Sequence, residues 1–243
     1  MNRKTTNLIR LLLDDCLPPI VRERWPFHWL TTLWLGRDSI RDFKYHAFKM
    51  TDKEYCAAYQ NVAGAYKNRE SDTTEDQKQW LLENIGPGKR LLEIGPGNRA
   101  LTERLRKSHD VTTLDLHCSN GDRTGSVIGL AERLPFRTKS FDITIISMVL
   151  EHVRSLTLTF LGLARVTRER VLIITPQQRF YSVTFDYHLH FFYSLDHLAS
   201  HIHTGTSEGR LIDGDLCLCW QPNGQPQEHR LHGCVKFGNS QPS

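Results

Sequence analysis

The 243-residue sequence has no apolar run approaching the roughly 18 residues needed to span a bilayer, so no membrane-crossing helix is expected. Its start, MNRKTTNLIRLLLDDCL, breaks a short apolar stretch with Asp14 and Asp15 and offers no small-residue cleavage site. The expectation is therefore a cytoplasmic chain without a secretory leader. Cysteine is sparse and scattered, at positions 16, 56, 118, 217, 219 and 234, which argues against a disulfide framework and for reduced thiols. Neither sign of charge dominates: 31 Lys and Arg against 27 Asp and Glu leave +4, well short of the basic footprint of a dedicated nucleic-acid binder. What remains is ordinary globular material. The 39% of hydrophobic residues and the 16 glycines together make about 45% of the chain, which excludes a disordered or low-complexity protein. The length suits one large domain, or one domain with a substantial appendage.

Residues 1–88 and 89–243 read differently. From Leu8 to Tyr66 the chain is rich in aromatics and charges, with short helical patterns broken by Pro18, Pro19, Pro26 and Gly36. Three of the five tryptophans, Trp25, Trp29 and Trp34, fall within ten residues and can share one helical face with Leu33. Such a face is either a packing stripe, the favoured reading, or an amphipathic element that touches a membrane surface. Residues 1–88 are accordingly expected to form a helical extension or cap. Near its end, Thr74 and Gln77 make a capping-box pattern, Trp80, Leu81, Leu82 and Ile85 an apolar face, and Gly86-Pro87 a stop.

From Lys89 onward, apolar runs of strand length alternate with helical patterns. Strands are expected at 90–95, 111–116, 126–131, 141–150 and 170–176, with helices at 99–107, about 155–167 and about 194–202. Near-continuous Ile, Leu and Val runs joined by helices indicate a doubly wound, mostly parallel α/β sheet covered on both faces. RLIDGDLCLCW and HRLHGCVKF, flanking the turn signal PNGQP, read as a closing antiparallel hairpin.

The first strand ends in Glu93-Ile94-Gly95-Pro96-Gly97 and opens a helix, so a glycine turn stands at the carboxyl edge of the sheet, where ligands of doubly wound folds bind. Alone, such a turn is equally a tight strand-to-helix connection. Asp115 changes this: it ends the second strand 18 residues after Gly97, where a carboxylate accepts from both hydroxyls of a ribose. A nucleoside ligand follows. A dinucleotide site takes G-x-G-x-x-G, whereas here Gly95 and Gly97 are followed by Ala100, and Glu93 stands ready for the cationic amino group of an amino-acid moiety.

With these residues in view, the stretch from about 90 to 203 resembles the class I S-adenosylmethionine-dependent methyltransferases, in particular the small-molecule type of the ubiquinone and menaquinone biosynthesis enzymes. LLEIGPGN is similar to the first motif of that family, LDL with Asp115 to its second, and GLAERLPFRTKSFDITIISMVLEHV to its adenine loop and fourth strand. The resemblance implies a seven-stranded Rossmann-like sheet and S-adenosyl-L-methionine as cofactor. It implies that Glu93 and the Gly95-Pro96-Gly97 turn hold the methionine end and sugar, and that Asp115 takes the ribose with Leu116 against the adenine. Ala131 and Glu132 would border the adenine, while Ser147 and Met148 would face the sulfonium. Two positions depart from the family pattern: Leu130 replaces an acidic residue of the adenine loop, and Arg99 stands at the third glycine place.

Methyl transfer from a sulfonium is a direct displacement that asks mainly for orientation and, for some acceptors, proton removal. His152 is the candidate general base, its alternative being a histidine that packs or caps; His188 and His190 form a second candidate group. No metal ligand set is assigned. His197 and His201, at i and i+4, read as solvated helix residues, and Cys217, Cys219, His232 and Cys234 converge as zinc ligands only in a register that a turn near Gly224 disfavours. The acceptor is expected to be a small or lipid-like molecule. Nucleic-acid methylation is the runner-up, since no Asn/Asp-Pro-Pro-aromatic turn and no Pro-Cys pair occurs; a catalytically degenerate binding module is the non-enzyme alternative.

Overall fold

Alternation of inward and outward side chains along the strands divides the core of the computed structural model into two layers. The structure describes residues 41–66, 73–117, 125–180, 187–223 and 230–231. The tryptophan segment at 25–34 lies outside the described residues, as do Cys16, Cys118, His232 and Cys234.

In chain order come α1 (Arg41–His46), a 3-10 turn (Ala47–Lys49), α2 (Asp52–Tyr66) and α3 (Glu75–Ile85). They are followed by β1 (Arg90–Ile94), α4 (Ala100–Leu105), β2 (Asp110–Asp115), β3 (Ser126–Ile128), a 3-10 turn (Ala131–Arg133) and β4 (Phe141–Ser147). The chain continues with α5 (Leu156–Val166), β5 (Thr167–Pro176), α6 (Leu195–Ala199), β6 (Thr206–Ile212), β7 (Asp215–Gln221) and a two-residue β8 (Arg230–Leu231).

The strands form one sheet in the order β3-β2-β1-β4-β5-β7-β6-β8, parallel from β3 to β5 and antiparallel where β7 is inserted between β5 and β6. This is the expected mostly parallel seven-stranded sheet, with β8 added as a short parallel edge on β6. Within each strand successive side chains serve opposite faces. Leu92, Ile146, Ile173, Leu218 and Trp220 face α5 and Phe192, whereas Leu91, Ile145, Leu172, Cys217 and Cys219 face α3 and α4. Because helices cover both faces, the inner strands are apolar on both sides, which is why the sequence shows runs rather than alternation.

α3 starts with the anticipated capping box: Thr74 Oγ1 accepts from the Gln77 amide at 3.2 Å, and Gln77 Oε1 accepts from the Thr74 amide at 2.9 Å. The Gln77 side-chain amide also donates to Asp215 Oδ2 at 2.8 Å and to the Ile212 carbonyl at 3.1 Å, fastening the helix to β7.

The closing hairpin lies upstream of the PNGQP turn signal. The closing hairpin is β6–β7, turning at Asp213-Gly214, so RLIDGDLCLCW contains the turn instead of forming one arm of a later hairpin. Asp213 at φ 52° and Gly214 at φ 82° supply the two left-handed residues that a two-residue hairpin loop demands. Cys217 lies between Arg210 of β6 and Ile174 of β5, so both edges of β7 are occupied and a pairing of Cys217 with Cys234 does not form. The fourth strand also stops earlier than expected, at Ser147, because Met148 turns to φ 54°.

The strand order reverses between β1 and β4. That switch point opens a crevice at the carboxyl ends of the strands.

Candidate active site

A cavity of about 150 Å³ fills this crevice. Its floor is Ile94 and Gly95 after β1, Leu114 to Leu116 at the end of β2, Gly129 and Ala131 after β3, and Val149 and Val153 after β4. Tyr55 and Tyr59 of α2, four residues apart and so on one helical face, close it from above with Glu132 and His152.

The glycine turn owes its shape to left-handed backbone, with Gly95 at φ 69° and Gly97 at φ 52°. A Cβ on Gly95 would stand 2.3 Å from Val149 Cγ2, while one on Gly97 would meet nothing within 4 Å. Arg99, at the third glycine place, is itself left-handed at φ 64°, and its Nη2 donates to Ser126 Oγ at 3.3 Å.

Asp115 lines the cavity. Its Oδ1 accepts from the His117 amide at 3.2 Å, and burial raises its pKa above the ordinary carboxylate value against that bond. Glu93 is buried behind the turn and is absent from the cavity lining; it accepts from Thr102 Oγ1 at 2.6 Å. Burial pushes its carboxyl up to about 7 although Thr102, Arg106 and Arg99 pull the other way. Glu132 Oε1 accepts from the Arg154 amide at 2.7 Å.

Of the other expected cofactor residues, Leu116 and Ala131 line the cavity, whereas Pro96, Gly97, Ser147 and Met148 are not among its lining residues. Ser147 Oγ is hydrogen-bonded to Thr73 Oγ1 at 3.0 Å, and the Met148 amide donates to the Ile174 carbonyl at 2.8 Å. Val149 takes the lining place beyond β4. Leu130, where the family pattern has an acid, packs with Leu116 against the cluster of Phe43, Ala47, Tyr55 and Leu189.

Among the candidate catalytic histidines only His152 lines the cavity. Its Nδ1 lies 3.2 Å from both the Tyr187 carbonyl and Tyr59 Oη. The Tyr187 carbonyl can only accept, and it also accepts from Tyr59 Oη at 3.2 Å; in the tautomer that carries its hydrogen on Nδ1, His152 donates to this carbonyl and keeps its lone pair on Nε2. The Tyr55 phenol donates to the His152 carbonyl at 2.5 Å. His188 is buried, its ring centroid 4.8 Å from that of His152, with Nδ1 2.7 Å from Gln178 Oε1. His190 is half-buried against Phe48, and burial lowers its imidazole to about 4, so it is neutral at pH 7. The Glu151 carbonyl accepts from the Leu189 amide at 2.7 Å and the His190 amide at 3.1 Å, joining the two histidine-bearing segments. His197 and His201 pack against Tyr193 and Phe160 instead of projecting into solvent.

Sequence reading did not find Tyr55 and Tyr59, whose partner His152 is 97 and 93 residues away along the chain. Their i, i+4 spacing was visible, but nothing local says which surface that face covers. Arg154 fixes the approach: its guanidinium bonds Asp52 and the Met50 carbonyl and lies 4.5 Å over the Tyr55 ring.

Residues 92–175 match the family model described as a methyltransferase domain. The match covers about a third of the chain. It runs from β1 nearly to the end of β5 and holds the floor of the cavity, while Tyr55 and Tyr59 lie ahead of it. No curated protein sequence matches the chain. Among solved structures, the 1,6-didemethyltoxoflavin-N1-methyltransferase of Burkholderia thailandensis, with bound 1,6-didemethyltoxoflavin and S-adenosylhomocysteine, has a TM-score of 0.55 at 14% identity, over 74% of this chain and 89% of that one. A Pyrococcus horikoshii OT3 protein gives 0.52 at 14% identity, over 68% and 98%. The chain spans about half the length of the first structures it matches, as with a Bacillus halodurans C-125 protein at TM-score 0.38 and 16% identity, over 42% of this chain and 52% of that one. At these identities the likeness is one of fold, and the fold is that of the class I methyltransferases. Among the described residues, no helix is long and apolar enough to cross a membrane.

Proposed function

We propose that the chain transfers the methyl group of S-adenosyl-L-methionine to an oxygen, nitrogen or carbon atom of a small or lipid-like acceptor, as in the ubiquinone and menaquinone type of the family. One observation carries this reading: a single cavity has the Gly95 turn and the Asp115 carboxylate on its sheet side and Tyr55, Tyr59 and His152 on its helical side. The residues present fit the cofactor. Gly95 leaves no room for a side chain beside Val149, Gly97 keeps an open flank, and Asp115 offers a half-buried acceptor for ribose hydroxyls. The Burkholderia enzyme, with S-adenosylhomocysteine bound on the same fold, supports the choice of donor.

When bound, the cofactor supplies an electrophilic methyl on a positive sulfur. The work of this chain is positional. Asp115 and Leu116 would hold the nucleoside, with Glu93 holding the turn and helix α4 through Thr102. The aromatic wall of Tyr55 and Tyr59 would exclude water and orient the acceptor, while His152 stands at the acceptor side to receive a proton or to hold the acceptor. Residues 41–66 would thus serve as part of a cap over the domain, and the cytoplasm is the proposed compartment.

The test is calorimetric titration with S-adenosylhomocysteine. Asp115→Ala should weaken binding by about tenfold or more, since hydrogen bonds to a charged group contribute roughly 1.5–3 kcal/mol. Absence of binding to the parent chain, or affinity indifferent to Asp115→Ala, would overturn the enzyme reading in favour of a degenerate binding module.

A further inference from the structure

Glu151, His152 and His188 converge beside the cavity: one potential ligand atom from each lies within 4.8 Å of the others. Glu151 and His188 are buried, and His152 reaches the cavity wall. Each side chain is also braced from outside the cluster. His152 Nδ1 is 3.2 Å from the Tyr187 carbonyl, His188 Nδ1 is 2.7 Å from Gln178 Oε1, and Thr175 Oγ1 donates to Glu151 Oε2 at 3.1 Å. This is the outer shell that metal-binding imidazoles and carboxylates carry, in which the ring nitrogen that is not a ligand donates outward and fixes tautomer and orientation. The Glu151 carbonyl accepts from the Leu189 and His190 amides, which fixes the spacing of the two segments in the main chain.

We propose that these three residues bind a divalent transition-metal ion through His152 Nε2, His188 Nε2 and a Glu151 carboxylate oxygen. Two imidazoles and one carboxylate leave open coordination positions and suit a first-row ion of the zinc or iron class better than magnesium or calcium. Because His152 lines the cavity, an ion held by it would stand beside the bound acceptor. The inference deepens the proposed methyl transfer by naming the acceptor class, a molecule that presents a hydroxyl oxygen to the ion. Coordination lowers the pKa of that hydroxyl. Its proton leaves with water displaced as the acceptor enters, the oxygen lone pair forms the new O–CH3 bond as the C–S bond breaks, and sulfur keeps the electron pair as a thioether. The ion is neither oxidised nor reduced. His152 then acts as a ligand, which is why a base elsewhere is not required.

The test uses the full chain, stripped with a chelator and titrated with Co2+ while its visible d–d absorption and its calorimetric heat are followed. The expected result is one ion per chain with micromolar or tighter affinity, weakened about 100-fold by His188→Ala or Glu151→Gln and about 10- to 100-fold by Gln178→Ala, an outer-shell change that leaves all three ligands in place. Thermal melting of each variant confirms that it is folded, and Gln178→Ala carries the test if a ligand variant is not. No Co2+ binding, or binding unchanged in His188→Ala and Gln178→Ala, overturns the proposal; the second result also identifies capture by the outlying His197, His201 and His203. S-adenosylhomocysteine titration of the metal-free protein separates the two readings. Retained nucleoside binding without Co2+ binding refutes the ion alone, and Co2+ binding without nucleoside binding refutes the methyl-transfer reading on which the acceptor class depends.

Discussion

The phenol of Tyr55 donates a 2.5 Å hydrogen bond to the main-chain carbonyl of His152, tying α2 to the turn that follows β4. Burial raises the phenol's pKa, so it remains a donor throughout the physiological range. Tyr55→Phe keeps the ring and removes the donor, leaving a part-buried carbonyl short of its partner. The expected cost is about 1–3 kcal/mol, or about 2–4 °C in Tm for each kcal/mol, measured by calorimetry. The same variant should weaken acceptor binding more than binding of S-adenosylhomocysteine.

Gly95→Ala is expected to damage both fold and site. The new methyl would stand 2.3 Å from Val149 Cγ2, on a backbone at φ 69° that a Cβ disfavours by about 1–2 kcal/mol. Gly97→Ala, with open space around its Cβ, bears only the backbone cost. Denaturant unfolding should therefore rank Gly95→Ala well below Gly97→Ala, and adding Val149→Ala should recover part of the Gly95→Ala loss but not the backbone share.

Gln77 combines a helix cap with a bond to a buried carboxylate. Gln77→Ala should cost about 2–3 kcal/mol, the sum of a lost cap and a lost amide partner for Asp215. Gln77→Glu keeps the capping box but sets a second carboxylate against Asp215. Its destabilisation should be large at pH 7 and shrink on acidification as one of the pair takes a proton, which urea titrations at pH 7 and pH 5 would reveal.

Glu93 gives the protein a stability slope of unusual sign. Its folded pKa is raised from 4.5 to about 7, so between these values the folded chain holds a proton that the unfolded chain has lost. Unfolding stability then falls as pH rises through this window, by up to about 3 kcal/mol from this residue, and levels off above it. Glu93→Gln should flatten the slope and, at pH 8, melt higher than the parent. A parent protein whose stability rises from pH 5 to pH 7 by the same amount as Glu93→Gln would contradict this.

Much of this was legible because it is local. The runs LLEI, ITII and VLIIT announce strands buried on both faces, Thr74 and Gln77 announce a helix start, and the Gly95 turn with Asp115 fixes the ligand edge once the strands are known. What escaped is of two kinds. The Asp213-Gly214 hairpin was hidden inside a stretch apolar enough to read as one strand, and the competing PNGQP signal drew the turn downstream. Tyr55, Tyr59, Val149 and the Arg154–Asp52 pair belong to tertiary contacts between segments far apart in sequence, which periodicity cannot register. Leu130 looked like a departure at the adenine loop; its packing with Leu116 against Phe43 and Tyr55 gives it a reason that only the assembled structure supplies.

The carbonyl of Glu151 accepts two successive amides, from Leu189 and His190. Since peptide groups are common to every residue type, this clasp survives any side-chain replacement short of proline at position 189 or 190. The spacing of the segments that carry 151, 152 and 188 therefore rests on main-chain bonds and not on the chemistry of those side chains. Such a frame lets one scaffold trade a proton acceptor for an ion, or an ion for bare packing, without redesigning the surrounding chain.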